Sequence, residues 1–268
     1  MQLEAKHELG QNFLFIPEVL DTIAGYAKLK PLDTVLEIGP GMGTLTCRLT
    51  AASKKVVAVE LDSDLAEALV SNVADLSDGG KIPTNLEVVN GSILDFDLTK
   101  LPRNYKIVAN IPYNITSKIL QMLVRSRNKP SVAVLLVQKE MAERLVAGPG
   151  KLSSLAIFVQ NCYEAESGII VPAEMFTPAP KVDSQVVILR RRSKPLVGED
   201  EAEDFYKLVK AGFAQPRKKM RTSLAAGLHI SKKDVEELLT STGIDFSFRP
   251  QQLSIDDWKK LLEKHSAK

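Results

Sequence analysis

Five short apolar runs, at 34–38, 55–61, 86–89, 105–109 and 132–138, alternate with stretches of helical spacing such as 42–53 and 64–76. A strand buried on both faces reads as a continuous apolar run, whereas a helix beside it needs only one apolar stripe. Few folds accept that alternation. It predicts βαβ units, parallel strands laid side by side with helices on both faces, and hence an α/β, Rossmann-like domain. β-type runs return at 163–171 and 185–190, after a helical segment that follows Leu152. Their close spacing predicts an antiparallel edge to the sheet.

The pattern then changes. Arg190-Arg191-Arg192-Ser193-Lys194-Pro195 is basic and ends in a breaker, and Gly198-Glu199-Asp200-Glu201 reads as a polar linker running into a helix start. From Ala202 onward the apolar residues recur at helical spacing, as in Phe205, Leu208, Val209 and Phe213. A chain of 268 residues accommodates one large domain and one small one. The expected division is therefore 1–192, the α/β domain, and 193–268, a small all-helical C-terminal domain.

The chemistry is concentrated in two places. Asn110-Ile111-Pro112-Tyr113 follows the apolar run 105–109, so Asn110 falls at a strand's C-terminal end, where open α/β sheets keep their ligands. The Asn110 side-chain carbonyl and the Ile111 backbone carbonyl can accept both protons of an exocyclic amine. Tyr113 offers a π-face for a base, and Pro112 stiffens the turn. The same residues also suit a capped strand-to-helix turn leading into a helix over 115–123. Glu37-Ile38-Gly39-Pro40-Gly41-Met42-Gly43-Thr44 follows the first strong strand and opens a helix. Its GxGxG spacing is one residue short of the dinucleotide fingerprint, and Glu37 disfavours a phosphate while suiting a positive amino-acid group. Glu60, at the next strand end, is placed to accept both hydroxyls of a ribose. That feature fits a nicotinamide dinucleotide and S-adenosylmethionine equally.

Bulk properties narrow the field. Hydrophobic residues make up 44% of the chain, enough for a proper core, and the formal net charge of +2 leaves any nucleic-acid partner to a local basic patch. No apolar run approaches membrane-spanning length and no signal core is visible, so a cytoplasmic protein is expected. Cys47 and Cys162 lack CxxC spacing, and the histidines at 7, 229 and 265 are scattered. Neither a disulfide scaffold nor a metal site is expected.

Taken in order, these segments resemble the ribosomal RNA adenine dimethyltransferases, in particular the small-subunit (KsgA) family. Gly10-Gln11-Asn12-Phe13-Leu14 is similar to that family's N-terminal cofactor segment. Glu37–Gly43 and Glu60 match its next two motifs, and Asn110–Tyr113 the catalytic one. The segment 172–184 is similar to its PxxFxPxPxVxS stretch, and 214–221 to its basic C-terminal signature. The resemblance implies an S-adenosylmethionine-dependent enzyme, without a metal, that dimethylates N6 of two adjacent adenines in the 3'-terminal helix of 16S ribosomal RNA. Its partner would be the small ribosomal subunit, and the enzyme a monomer with no membrane association. Asn12, Leu14, Gly39, Glu60 and Asn110 would contact the cofactor, together with Gln11, Glu37, Gly41, Gly43, Leu61, Ser92 and Ile93. Catalysis would fall to Asn110, Ile111, Pro112, Tyr113 and Phe176, with Phe176 stacking on the target base opposite Tyr113. Arg190, Arg191, Arg217, Lys218, Lys219 and Arg221 would meet RNA phosphates.

Two positions depart from the family pattern. Ser92 stands where an Asp usually binds the cofactor's adenine, with Asp95 as an alternative acceptor nearby, and Pro216 stands where Arg is common. A large-subunit methylase, a DNA adenine methylase and a non-catalytic RNA-binding relative are the competing readings. The stretch 215–221 weighs against the first, the small C-terminal domain against the second, and intact Asn110–Tyr113 against the third.

Overall fold

In a computed structural model of the chain, residues 6, 10–77 and 79–266 are described. Two compact units emerge, one formed by 1–142 with 164–191, the other by 143–163 with 192–268. The composition shift near 193 coincides with the last crossing between them. It gives no sign of the earlier excursion at 143–163, where a helical segment joins the second unit although the chain has yet to complete the sheet. The single division at 192/193 is corrected accordingly.

The first unit is built on a seven-stranded sheet in the order β4-β3-β2-β5-β6-β9-β7. These strands are β2 (Thr34–Ile38), β3 (Lys55–Glu60), β4 (Leu86–Asn90), β5 (Lys106–Asn110), β6 (Val132–Gln138), β7 (Tyr163–Val171) and β9 (Ser184–Arg191). β4, β3, β2, β5 and β6 run parallel, and β9 lies antiparallel to β6, as the late β-type runs predict. The central strands earn their apolar runs: Val35, Leu36, Ile107, Val108, Val134 and Leu135 are fully buried. Two elements too short to leave a sequence signal, β1 (Phe13–Leu14) and β8 (Phe176–Thr177), pair antiparallel in a separate two-stranded sheet.

Helices α1 (Pro17–Tyr26), α2 (Thr44–Ala52), α3 (Ser63–Leu76) and α4 (Thr116–Arg125) belong to this unit. α3 starts where Asp62 caps the Asp64 amide, and α4 buries Ile119, Leu120, Leu123 and Val124 along one face. α5 (Lys139–Leu145) follows β6 directly.

The second unit contains α6 (Ser154–Cys162), α7 (Ala202–Gly212), α8 (Met220–Leu228), α9 (Lys232–Ser241) and α10 (Ile255–Ser266). Its core is aromatic: Trp258 is fully buried and stacks on Phe213 at 5.9 Å, and Phe158 meets Tyr206 edge-on at 4.7 Å.

The topology itself opens a crevice. The chain leaves β2 for β3 and β4 on one side and returns to β5 on the other, so the strand order reverses between β2 and β5. β2 stays paired with β3 as far as Ile38↔Val59, but its ladder with β5 ends at Leu36↔Ile107. Beyond that point the two strands part, with Glu37 on one lip and Asn110 on the other.

Candidate active site

A single cleft takes in both sequence motifs. Its walls include the N-terminal segment from Gly10, the loop after β2, the end of β3, Gly91–Leu94 after β4, and Asn110–Ile115 after β5. Gln11, Asn12, Leu14, Glu37, Gly39, Gly41, Glu60, Leu61, Ser92, Ile93 and Asn110 all line it, as do Ile111, Pro112 and Tyr113.

The N-terminal segment reaches the cleft through long-range bonds. Lys6 forms ion pairs with Asp62 and Asp64, at 2.8 and 2.9 Å, and the Gln11 amide donates to Asp62 at 3.0 Å. Thr44, at the start of α2, donates from its hydroxyl to the Leu14 carbonyl at 2.9 Å. At the other end, the Asn110 side-chain NH2 donates to the Asn12 carbonyl at 3.0 Å. A carbonyl partner can bond only to the nitrogen end of an amide, so this contact fixes the orientation of the Asn110 side chain. Its Oδ1 accepts from no group among the described residues, and the residue lines the cleft. The Ile111 N–H is taken up by Leu136 at 3.1 Å, while its carbonyl accepts from no group among the described residues. Two acceptors on consecutive residues thus stand beside the half-buried ring of Tyr113.

Two carboxylates face this cleft from β2 and β3. Both Glu60 oxygens are held by backbone donors, one by Gly41 N–H at 3.1 Å and the other by Asp62 N–H at 3.0 Å. Burial raises the Glu60 carboxyl above the usual range, and these backbone bonds oppose the rise. The geometry leaves lone pairs for a diol. Glu37 is 1% exposed, and its Oε2 is buried without a partner among the described residues. Burial pushes its carboxyl up to about 8, and the nearby Glu60 charge adds to the effect. A buried carboxylate oxygen left without a partner is costly unless a cation completes it.

The glycines after β2 divide by role. Gly39, Gly41 and Gly43 all have positive φ, which side chains rarely adopt. Gly39 and Gly41 line the cleft, but Gly43 does not. A Cβ on Gly43 would lie 2.9 Å from Val73 Cγ2 and 3.1 Å from Leu69 Cδ1, so this glycine lets α2 pack on α3. The structure shows this packing role for Gly43 and places Gly39 and Gly41, not Gly43, in the cleft wall.

Phe176 lies apart from the other expected catalytic residues. It is 3% exposed, sits in the apolar core with Leu20, Ile23 and Val108, and is absent from the cleft wall. Through β8 it pairs with Leu14 and so braces β1. The proline-rich segment touches the site through a different residue. Ser184, fully buried at the start of β9, shares a 2.6 Å hydrogen bond with the Tyr113 hydroxyl. Its neighbour Asp183 holds the segment in place by accepting from Ala173 N–H at 3.1 Å.

Ser92 lines the cleft as expected, while its Oγ also accepts from Leu94 N–H at 3.2 Å and caps a short 3-10 turn. Asp95 lines a neighbouring hollow beside β4 that shares Gly91 and Ser92 with the cleft. Sequence reasoning missed Phe13, Met42, Leu94 and Asn114 in the wall. Nothing in their spacing distinguishes a wall residue from a core residue.

The basic residues separate too. Arg190 pairs with Val132 across the β6–β9 ladder, six residues from Ser184, which pairs with Gln138 at the cleft end. At about 3.3 Å per residue that is roughly 20 Å away, at the opposite end of the strands. There Arg191 is bound to the Lys129 carbonyl and the Asn104 side chain. Neither belongs to the cleft's surroundings, so any phosphate they meet would lie at a distance from the reacting base. In the helical unit Arg217, Lys218 and Lys219 are exposed, whereas Arg221 forms an ion pair with Glu236. Pro216 occupies the second position of a turn closed by Lys218 N–H donating to Gln215 O at 2.9 Å. That position uses no N–H and favours the fixed φ of proline, so the departure from Arg rigidifies the turn.

No group of three or more His, Cys, Asp or Glu side chains among the described residues could hold a metal ion. No helix among them is long and apolar enough to cross a membrane.

Comparison with known proteins gives the same architecture. A family profile described as ribosomal RNA adenine dimethylase matches residues 2–266. A ribosomal RNA small subunit methyltransferase A from Dehalococcoides mccartyi (strain CBDB1) is 40% identical over 97% of this chain and 88% of its own length. One of the same description from Bacillus cytotoxicus is 36% identical over 96% and 89%. Among solved structures, a dimethyladenosine transferase from Plasmodium falciparum matches with a TM-score of 0.77 at 28% identity, covering 95% of this chain and 98% of that one. The 23S rRNA methyltransferase ErmE matches with a TM-score of 0.74 at 29% identity, covering 94% and 99%.

Proposed function

The chain belongs to the ribosomal RNA adenine dimethylase family, and we propose that it dimethylates N6 of two adjacent adenines in the 3'-terminal helix of small-subunit ribosomal RNA, using S-adenosylmethionine. The observation that carries this reading is the Asn110 amide, oriented by the Asn12 carbonyl so that its own oxygen, unpartnered among the described residues, stands next to the Ile111 carbonyl.

The cleft suits the cofactor. The buried Glu37 carboxyl, its Oε2 unpartnered among the described residues, fits a cationic amino-acid end, Glu60 fits the ribose hydroxyls, and Gly39 and Gly41 keep side chains out of the way. When bound, S-adenosylmethionine would supply an electrophilic methyl group on a sulfonium. The protein's own task is positioning. Asn110 Oδ1 and the Ile111 carbonyl accept the two N6 protons, so the nitrogen gives up conjugation with the ring and its lone pair turns into the cleft. The same two oxygens stabilise positive charge as it develops on the amine, and either passes the departing proton to water. Tyr113, steadied by Ser184, supplies the face on which an extruded adenine stacks. Two rounds at each adenine give the dimethylated product.

Arg217, Lys218 and Lys219 are the cations proposed to meet RNA phosphates, and the enzyme is read as a cytoplasmic monomer. The experiment supplies unmethylated small and large ribosomal subunits separately with methyl-labelled cofactor. Label in N6,N6-dimethyladenosine of the small-subunit RNA is expected. Label in the large subunit instead would favour the activity named for ErmE and overturn the substrate assignment.

A further inference from the structure

The helical unit keeps its aromatic residues inside, with two exceptions. Phe158, Tyr163, Phe205, Tyr206 and Trp258 are buried and Phe213 is half-buried, but Phe246 and Phe248 are 43% and 39% exposed. Single exposed apolar side chains need no explanation. These two occupy one turn, Asp245–Phe248, closed by Phe248 N–H donating to Asp245 O at 3.0 Å.

That turn lies against the basic one. Met220 N–H donates to the Phe248 carbonyl, so the segment ending in Lys219 and the segment carrying both phenylalanines are tied side by side. Arg217, Lys218, Lys219 and Arg249 are all exposed around this junction. The acid between them, Asp245, spends a carboxylate oxygen on Ser247 N–H at 2.7 Å. Both turns are rigid, one through Pro216 and the other through its backbone and Asp245 bonds. Two accessible rings framed by four cations are what an unpaired nucleic-acid strand requires: faces on which bases stack, with charges for the phosphates between them. A duplex hides its base faces and could use only the charges.

We propose that Phe246 and Phe248, with Arg217, Lys218, Lys219 and Arg249, form a stacking platform that binds an unpaired segment of the substrate RNA. The platform deepens the reading above, on which it rests for the identity of the RNA. It assigns the helical unit preference for single-stranded over double-stranded RNA, which a basic patch alone does not confer.

The test uses the full chain, a short unpaired oligoribonucleotide and an RNA duplex of the same length. Wild-type protein is expected to prefer the unpaired strand. Phe246→Ser/Phe248→Ser should weaken that binding about tenfold, the scale of losing base–aromatic stacking, with the salt slope unchanged and duplex binding unaffected. Phe246→Tyr/Phe248→Tyr should restore it. Arg217→Ser/Lys218→Ser should weaken both RNAs and flatten the salt slope. Both aromatic side chains are exposed, so the serine variant should match the wild type in helical content and melting temperature. Equal binding of the unpaired strand by wild type and serine variant would overturn the platform. So would loss of duplex binding in the serine variant, or a tyrosine variant that fails to recover. Methyl transfer to small subunits, run in parallel, reads the functional assignment separately: its absence in the wild type would sink that assignment, while the oligonucleotide arms still decide the platform.

Discussion

Replacing Glu37 by Gln separates what the fold requires from what the cofactor requires. Burial holds the Glu37 carboxyl at about 8 in the free protein, against an ordinary value of 4.5. An acid whose folded pKa lies above its unfolded one binds more protons in the folded state between those values. Stability therefore falls as pH rises from 4.5 towards 8 and levels off above. A pH of 7 lies 2.5 units above 4.5, which at about 1.4 kcal/mol per unit amounts to about 3.5 kcal/mol, of which about 3 kcal/mol builds up between pH 4.5 and pH 7. Gln keeps the shape and cannot ionise, so the variant should escape this loss. Its stability relative to wild type should improve by about 3 kcal/mol between pH 4.5 and pH 7, read from urea midpoints at the two pH values. Binding should move the other way. A cofactor ammonium would draw the wild-type carboxyl into its ionised form, releasing a proton at pH 7, which calorimetry in buffers of different ionisation enthalpy detects. Glu37→Gln should abolish that release and weaken S-adenosylhomocysteine binding roughly tenfold through loss of a charge-assisted bond. A stability difference that does not change with pH would refute the buried neutral carboxyl. Undiminished cofactor binding would refute its role opposite the ammonium.

Gly43→Ala should cost about 1–3 kcal/mol of stability, because it places a Cβ at positive φ against Val73, yet leave cofactor affinity of the folded protein nearly unchanged. A large affinity loss without destabilisation would return Gly43 to the cofactor. Ser92→Asp should keep the cap on the 3-10 turn and add a carboxylate oxygen to the cleft, tightening S-adenosylhomocysteine binding by about 1 kcal/mol; weaker binding contradicts this. Ser184→Ala should lower methyl transfer at saturating substrate about tenfold with cofactor binding intact, since Tyr113 loses its anchor. Added to Tyr113→Phe, the same change should cost little more, and full additivity would show that the hydrogen bond is not how Ser184 acts.

Much of the fold was legible because continuous apolar runs leave a parallel strand few alternatives. Glu37–Gly43, Glu60 and Asn110–Tyr113 were legible because each sits at a strand end, and reversal of the strand order brings those ends together. What was not legible depends on pairings made far along the chain. β1 and β8 have two residues each, and only their mutual register puts Phe176 in the core. A core aromatic and a stacking aromatic look alike in sequence. Arg190 and Arg191 read as part of a basic run, but the register of β9 on β6 carries them to the end of the strands away from the cleft. Gly43 sits in the same loop as Gly39 and Gly41, and only the approach of Val73 sets it apart. The contribution of 143–163 to the helical unit leaves no composition shift to notice.

The central claim is that Asn110 presents a free carbonyl oxygen to the target amine. It is tested most directly by single-turnover methyl transfer to unmethylated small subunits by wild type and Asn110→Ala, each at saturating cofactor and with S-adenosylhomocysteine binding measured alongside. Loss of a preorganised polar group at a reacting centre costs on the order of a hundredfold or more. Transfer should fall by that factor in the folded, cofactor-loaded variant, and N6,N6-dimethyladenosine should vanish from the product. Near-wild-type transfer by that variant would contradict the account.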